Sequence, residues 1–339
     1  MSYSLQRVGL VLGILIAWGI VLYYGSPLLQ PLAFGALLAM LVEPLHRKLR
    51  AWRLPNALAI GLSLLAILLS FGLVLWLISW QISQLSNDWP QMQERLAAYW
   101  STIQQWLQDR FGLTSAQFKQ WLRNSGSAIG QRVMHQTFSF FSLILNLVLL
   151  IAYIALFLSL KEKFKLFFRR LLAPAGDKRS GDMLQEISQV ARNYLGGRLM
   201  VIGILSAFYI AGFLLAGIKY AILLGLLTGL LSIIPYLGNV LGGGLAILLS
   251  LVSGGSPQSI LIIVGVMTAG QLGENYLLVP KIVGKEVDLN AFAAIVCVVA
   301  FGLVWGISGA ILAIPLTGII LVFFQHVDPK SSVVVLLGR

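Results

Sequence analysis

Gln271, Glu274 and Asn275 stand in the run Q-L-G-E-N-Y, at the end of an otherwise apolar segment. Three residues apart, Gln271 and Glu274 share one helical face, which Leu278 continues. An ionised carboxylate inside a bilayer is costly, so its presence points to function: binding a cation, holding a proton or orienting a polar solute. A second reading pairs Glu274 with Lys281 or Lys285 near the membrane surface and makes it an anchor, and the sequence leaves both open. Asn239, with Tyr236 beside it in I-I-P-Y-L-G-N, offers an amide next to carbonyls that a helix break leaves unpaired. Glu43, followed by Pro44 and His46, reads as a carboxylate at a membrane boundary.

No set of residues suggests an enzyme. The three histidines, His46, His135 and His326, lie in different segments without metal-ligand spacing. No G-x-x-x-x-G-K-[ST] phosphate loop is present, so an intrinsic ATPase is not expected. Neither a cofactor nor a metal is called for, and any uphill transport would draw on an ion gradient. Cys297 is the single cysteine and sits in an apolar run, which excludes an internal disulfide.

The elements that position these residues follow from composition. Of 339 residues, 58% are hydrophobic and only 11% charged, against roughly 25% charged in a soluble domain. The fold class is therefore an all-α polytopic membrane protein. The net charge of +12 does not indicate nucleic acid, because the basic residues sit mainly in short connections between apolar spans.

In chain order, Val8 to Tyr24 reads as an uncleaved first helix and Leu28 to Val42 as a second span. The patch His46, Arg47, Lys48, Arg50 and Arg53 then marks the inside. Asn56 to Trp80 leads out to a polar region, residues 81–137. There Ile82, Leu85, Trp89, Met92, Leu96, Tyr99, Ile103 and Trp106 recur every three or four residues, predicting an extracytoplasmic amphipathic helix with one apolar seam. That seam packs on the protein's own bundle or headgroup layer, or joins neighbouring copies. Residues 138–160 form another span, and 161–198 a basic inner loop with a surface helix over Gly181 to Arg198. Residues 199–325 form a transport half, and 326–339 an inner tail.

Within that half, Tyr220 to Val252 and Ala291 to Phe324 are long apolar segments interrupted at their centres. If both are hairpins, with Leu199 to Ala216 and Gln258 to Val279 as true crossings, 18 of the 24 basic residues fall inside and six outside. The six are Arg95, Arg110, Lys119, Arg123, Arg132 and Lys219. This count supports two re-entrant hairpins beside about five or six full crossings, with both termini inside. The turns are expected at Pro235 to Gly244 (with Gly238, Gly242 and Gly243) and at Gly302 to Gly309 (with Gly306), followed by Pro315. Paired broken segments around a polar cluster are the sequence pointer to a transport site near the midplane.

Three motifs in order, I-I-P-Y-L-G-N-V-L-G-G-G from Ile233, E-N-Y-L-L-V-P-K-I-V-G-K-E-V-D-L-N from Glu274 and G-I-S-G-A-I-L-A-I-P-L from Gly306, resemble the autoinducer-2 exporter (AI-2E, PerM-like permease) family. The resemblance implies a bacterial inner-membrane homo-oligomer that exports a small polar signalling solute, or exchanges sodium or lithium for protons. Carried onto this chain, its motif residues are Pro235, Tyr236 and Gly238; Glu274, Pro280, Lys281 and Gly284; and Gly306, Gly309 and Pro315. Where the family often has a histidine-proline pair, this chain has Asn290-Ala291. Three functions follow: secondary export of a polar solute by alternating access of the C-terminal half, Na+(Li+)/H+ antiport on Glu274, and a non-transporting scaffold.

Overall fold

A computed structural model describes residues 13, 17–111, 140–172, 179–234, 237–283 and 289–338. The described elements are helices: α1 (Ser26–Ala51), α2 (Asn56–Phe111), α3 (Phe140–Ser159), α4 (Lys161–Leu172), α5 (Arg179–Leu215), α6 (Ala221–Leu231), α7 (Leu237–Val252), α8 (Pro257–Gly273), a π-helix (Glu274–Val283), α9 (Ala291–Val327) and α10 (Ser332–Leu337). Five helical stretches, including the run Pro257–Val283, are long and apolar enough to cross a membrane, and a sixth arises if α3 and α4 count as one bent span. The chain is an all-α, multi-pass membrane protein.

The central element is α5, at 37 residues about 55 Å long. Its buried Val201, Leu205, Tyr209 and Phe213 form the main core with Leu223, Leu224, Ala246, Ile263 and Met267 from α6, α7 and α8. Continuity through Arg198 corrects the expected surface helix over Gly181 to Arg198 followed by a separate span. Gly196 and Gly197 look like a boundary in sequence, yet glycine inside a helix costs only about 1 kcal/mol, and the packing of α5 on its neighbours offsets that. The short amphipathic helix lies earlier: α4 leaves α3 at a 73° bend, with Phe167 and Leu171 exposed on one side.

The helix α2 is a second departure from expectation. Span and outer helix are one 56-residue helix, about 84 Å long, that runs through Pro90. The expected seam is buried only in part. Leu85 and Met92 pack into the core around Tyr220, while Ile82 and Tyr99 remain exposed.

Both broken segments reverse direction. Arg95 of α2 lies against Gly254, and Asp88, seven residues earlier, contacts Lys219 and Tyr220. The two ends of the first segment thus lie at one place, as a hairpin requires. Its reversal lies between Leu231 and Leu237, earlier than expected: Gly238, Gly242, Gly243 and Gly244 belong to α7 and not to the turn. Gly242 makes the hairpin close, because a Cβ there would collide with Thr228 of α6. Pro235 and Tyr236 lie outside the described residues, as does Gly284.

The second reversal is at Gly306, with φ 63° and ψ −145°, a conformation essentially reserved for glycine. The arms then touch, so that a Cβ at Gly309 would strike the carbonyl oxygen of Phe301. In a straight helix those residues would stand about 12 Å apart. Pro315 does not break the return arm, which continues helically to Val327. At 21 residues from Ile307, about 32 Å, that arm is longer than the other three and could cross a bilayer. Asn290 closes the base. Its Oδ1 accepts from the Ala293 N–H (2.7 Å), and its Nδ2 donates to the carbonyls of Leu336 (2.7 Å) and Gly338 (3.1 Å).

The hairpins reach α5 from opposite ends. The first has its base at Tyr220, beyond the C-terminus of α5. The second has its base beside the N-terminal part of α5, where Val322 packs on Met183 and Val190 and His326 approaches Glu186 at 3.5 Å.

Candidate functional site

Near the middle of α5, Arg198 is buried, and its Nη1 donates to Oε1 of Glu274 at 2.9 Å. Both side chains are under a tenth exposed. A lone charge at that depth is disfavoured, so each ion is held there by the other. Arg198 still presents Nε and Nη2, buried and without an acceptor among the described residues. A buried donor left unpaired costs about 1–3 kcal/mol, which makes these two nitrogens, with three N–H bonds between them, candidates to meet a polar solute.

Local backbone chemistry brings the pair together. Gly197 lets the π-helix approach α5: a Cβ there would sit 3.0 Å from the carbonyl oxygen of Ile282. The π-helix begins at Glu274 and contains Pro280. Proline has no N–H and its ring crowds the carbonyl four residues back. Widening the turn to i→i+5 hydrogen bonding accommodates it, a distortion frequent at functional sites.

Beside the ion pair runs a chain of neutral hydrogen bonds across α5, α7, α8 and the π-helix. The Tyr209 hydroxyl of α5 donates to Oδ1 of Asn239 in the first turn of α7 at 2.7 Å. Asn239 Nδ2 donates to Oε1 of Gln271 at the end of α8, and Gln271 Nε2 donates to Oδ1 of Asn275 at 3.1 Å. The chain leads from buried Tyr209 to exposed Asn275. Gly270 leaves room for the Tyr209 ring, since a Cβ there would lie 2.6 Å from the hydroxyl.

Of the sequence-predicted residues, the structure brings together Gln271, Glu274, Asn275 and Asn239. Gln271 and Glu274 do not work as a pair, however: Gln271 turns to Asn239 and Asn275, whereas Glu274 turns to Arg198. The expected partner Lys281 is exposed, and Lys285 lies outside the described residues. Sequence reasoning missed Arg198 and Tyr209. The signal for Arg198 is available, an arginine within L-G-G-R-L-M-V-I-G-I-L, but the expected surface helix over Gly181 to Arg198 ends at it. Tyr209, one aromatic among many, carries no such signal.

Glu43 is more than a boundary carboxylate. It pairs with Lys161 of α4, with Arg47 at 3.4 Å and with Arg192 of α5 at 3.6 Å, tying the N-terminal bundle to α5.

This architecture, with two broken segments converging on a buried polar cluster, agrees with sequence comparison. The profile of the "AI-2E family transporter" matches residues 12–328. The chain belongs to the AI-2E family of transporters. Several curated relatives align with it over most of its length. It is 25% identical to "Putative transport protein YueF" of Bacillus subtilis, over 89% of this chain and 85% of that one. It is 22% identical to "AI-2 transport protein TqsA" of Escherichia coli, over 98% and 95%, and 27% identical to "Putative permease PerM" of Escherichia coli, over 93% and 91%. Membership in the AI-2E family makes the chain a transporter or permease.

Proposed function

We propose that this AI-2E transporter exports a small polar organic solute, without chemically altering it, through a site formed by Arg198, Tyr209, Asn239, Gln271 and Glu274. The observation that carries the reading is the relay Tyr209–Asn239–Gln271–Asn275 beside the unpaired N–H groups of Arg198. Donors and acceptors on four helices meet where a hairpin tip, a helix end and a π-helix converge. Such a surface suits a neutral or weakly anionic, hydroxyl- and carbonyl-bearing molecule. The name of TqsA makes AI-2 the first solute to try.

Cation-proton antiport on Glu274 is the competing reading. The salt bridge to Arg198 favours the solute, because a carboxylate already neutralised has little attraction left for Na+. The proposal includes alternating access, with the hairpins and α5 to α8 moving against α1 to α3. It includes placement in a bacterial inner membrane with both termini inside, where the Glu43 cluster would face the cytoplasm. Homo-oligomerisation is proposed because Tyr99, on the outer seam of α2, stays exposed on a single copy.

The test is flux in proteoliposomes, comparing the parent chain with Asn239→Leu for AI-2, for a panel of small polar metabolites and for sodium-driven proton movement. Solute flux lost in the variant supports the proposal. Sodium-driven proton flux in the parent, with no solute flux, refutes it.

A further inference from the structure

A cavity of about 930 Å³ lies apart from the polar relay, between α1, α3, α4, α5 and both arms of α9. One end of its lining is cationic: Arg47 from α1, Lys161, Lys165 and Arg169 from α4, and Arg192 from α5. Among the described residues the lining carries a single carboxylate, Glu43, against five cations, an excess of four positive charges. Glu162, outside the lining, pairs with Lys165 and reduces that excess to three. The rest of the wall is apolar, with Leu29, Met40, Trp305, Ile319 and Phe323 among its residues.

We propose that this cavity is a binding site for an anionic phospholipid, with its phosphate held by the basic cluster and an acyl chain along the apolar wall. Three observations converge on an amphiphile. First, Lys161, Lys165 and Arg169 recur every four residues on one face of α4, while Phe164 and Phe168 recur beside them and also line the cavity. This is the pattern of a helix lying in a membrane interface, and the 73° bend from α3 sets α4 at a steep angle to that span.

Second, the charge excess is local and tertiary, because α1, α4 and α5 each supply cations to one opening. Basic pockets between transmembrane helices recognise lipid head groups. Third, along α1 the lining extends from Arg47 to Leu29, 18 residues or about 27 Å. That depth approaches the hydrocarbon thickness of about 30 Å. A water-soluble anion would use the cluster and leave the apolar wall uncovered.

The experiment uses the full chain, purified in detergent and stripped of lipid, with binding of phosphatidylglycerol, phosphatidylcholine and inorganic phosphate measured by native mass spectrometry and thermal shift. The test variant is Lys165→Gln/Arg169→Gln, which leaves the Glu43 pairs intact. At about 1 kcal/mol per basic residue near the surface, two charges correspond to about 30-fold weaker phosphatidylglycerol binding. Wild type should prefer phosphatidylglycerol over phosphatidylcholine by at least about 10-fold on the same scale.

Equal binding of the two lipids, or equal phosphatidylglycerol binding by wild type and variant, overturns the proposal. Phosphate that displaces phosphatidylglycerol and stabilises equally well reassigns the site to a soluble anion and overturns it too. A second readout is independent of the charge variant. Phosphatidylglycerol brominated on its acyl chain, at low mole fraction in phosphatidylcholine, should quench a saturable part of the tryptophan fluorescence that Trp305→Phe removes. An unchanged saturable part in Trp305→Phe counts against the cavity.

Discussion

Glu274 and Arg198 can be separated into anchor and carrier by a double-substitution cycle. At 2.9 Å and an effective dielectric constant of about 20, the pair attracts by about 6 kcal/mol, most of it set against the cost of desolvating two charges. Glu274→Gln retains a hydrogen-bond acceptor for Arg198 Nη1 but strands the guanidinium charge, and Arg198→Gln strands the carboxylate. Each single change should therefore destabilise by about 3–5 kcal/mol. The double variant leaves two neutral amides able to hydrogen-bond across the same gap. It should recover at least about 3 kcal/mol of the summed loss. Denaturation midpoints in micelles read the stability, and proteoliposome flux reads the function. If the pair positions the site, transport in the double variant returns with stability. If Glu274 carries the ion, the double variant is stable and inactive. Additive singles, coupled by less than about 0.5 kcal/mol, would refute the reasoning, because the two side chains would then not meet.

Gln271→Leu should interrupt the relay between Asn239 and Asn275, reducing solute flux at low concentration with a stability change of about 1 kcal/mol; flux unchanged at all concentrations would remove Gln271 from the site. Gly306→Ala forces a side chain into a glycine-only conformation and should destabilise by about 1–3 kcal/mol, measured as a lower melting midpoint; no change would mean the second hairpin does not turn there. Asn290→Ala removes a helix cap worth about 1 kcal/mol and both side-chain bonds to the C-terminal segment, so limited proteolysis should release 332–338 faster than in the parent. Asp88 is held below its usual value of 3.8 by hydrogen bonds from Lys219 and then Tyr220. A depressed carboxylate stabilises above its unfolded value and loses that contribution as pH falls through the folded one. The distance between nitroxide spin labels on α2 and the α5–α6 turn should thus stay unchanged from pH 5 to 8, lengthen below about pH 4, and lose that acid sensitivity in Asp88→Asn.

How much of this was legible in the sequence depends on whether a feature is local. Gly306, needed for its own φ and ψ, lies inside the expected Gly302 to Gly309, and the reversal between Leu231 and Leu237 overlaps only the start of the expected Pro235 to Gly244. The extent of each turn was not legible. Gly242 reads as a breaker, yet it serves the approach of α6 and α7, which depends on Thr228. The change of composition after Trp80 looked like the end of a helix, but a helix crossing from lipid to water changes its surface and not its backbone. Glu274 stood out because it is acidic in an apolar run. Its partner did not, because nothing local tells an arginine at a span's edge from one near the middle of a 37-residue helix.

The depth of Arg198 also explains why the irregular backbone lies where it does. Arg198 is 19 residues, about 28 Å, from the start of α5 and 17 residues, about 26 Å, from its end. Packing of the neighbouring elements buries the side chain there, so the counter-charge must come from another buried element. A regular α8 continued through Pro280 would carry the proline clash into the wall against α5, and the π-helix relieves that clash while keeping Glu274 on Arg198. Helix breaks at such depth are tolerated only when protein or a cavity covers their polar groups. At the first turn Ser232 Oγ donates to the Gly229 carbonyl at 2.6 Å; just before the second, Trp305 Nε1 donates to the Leu22 carbonyl at 2.8 Å and ties that arm to the segment leading into α1. With a hairpin arriving from each end of α5, the Arg198–Glu274 pair is enclosed between them and neither charge is exposed to lipid.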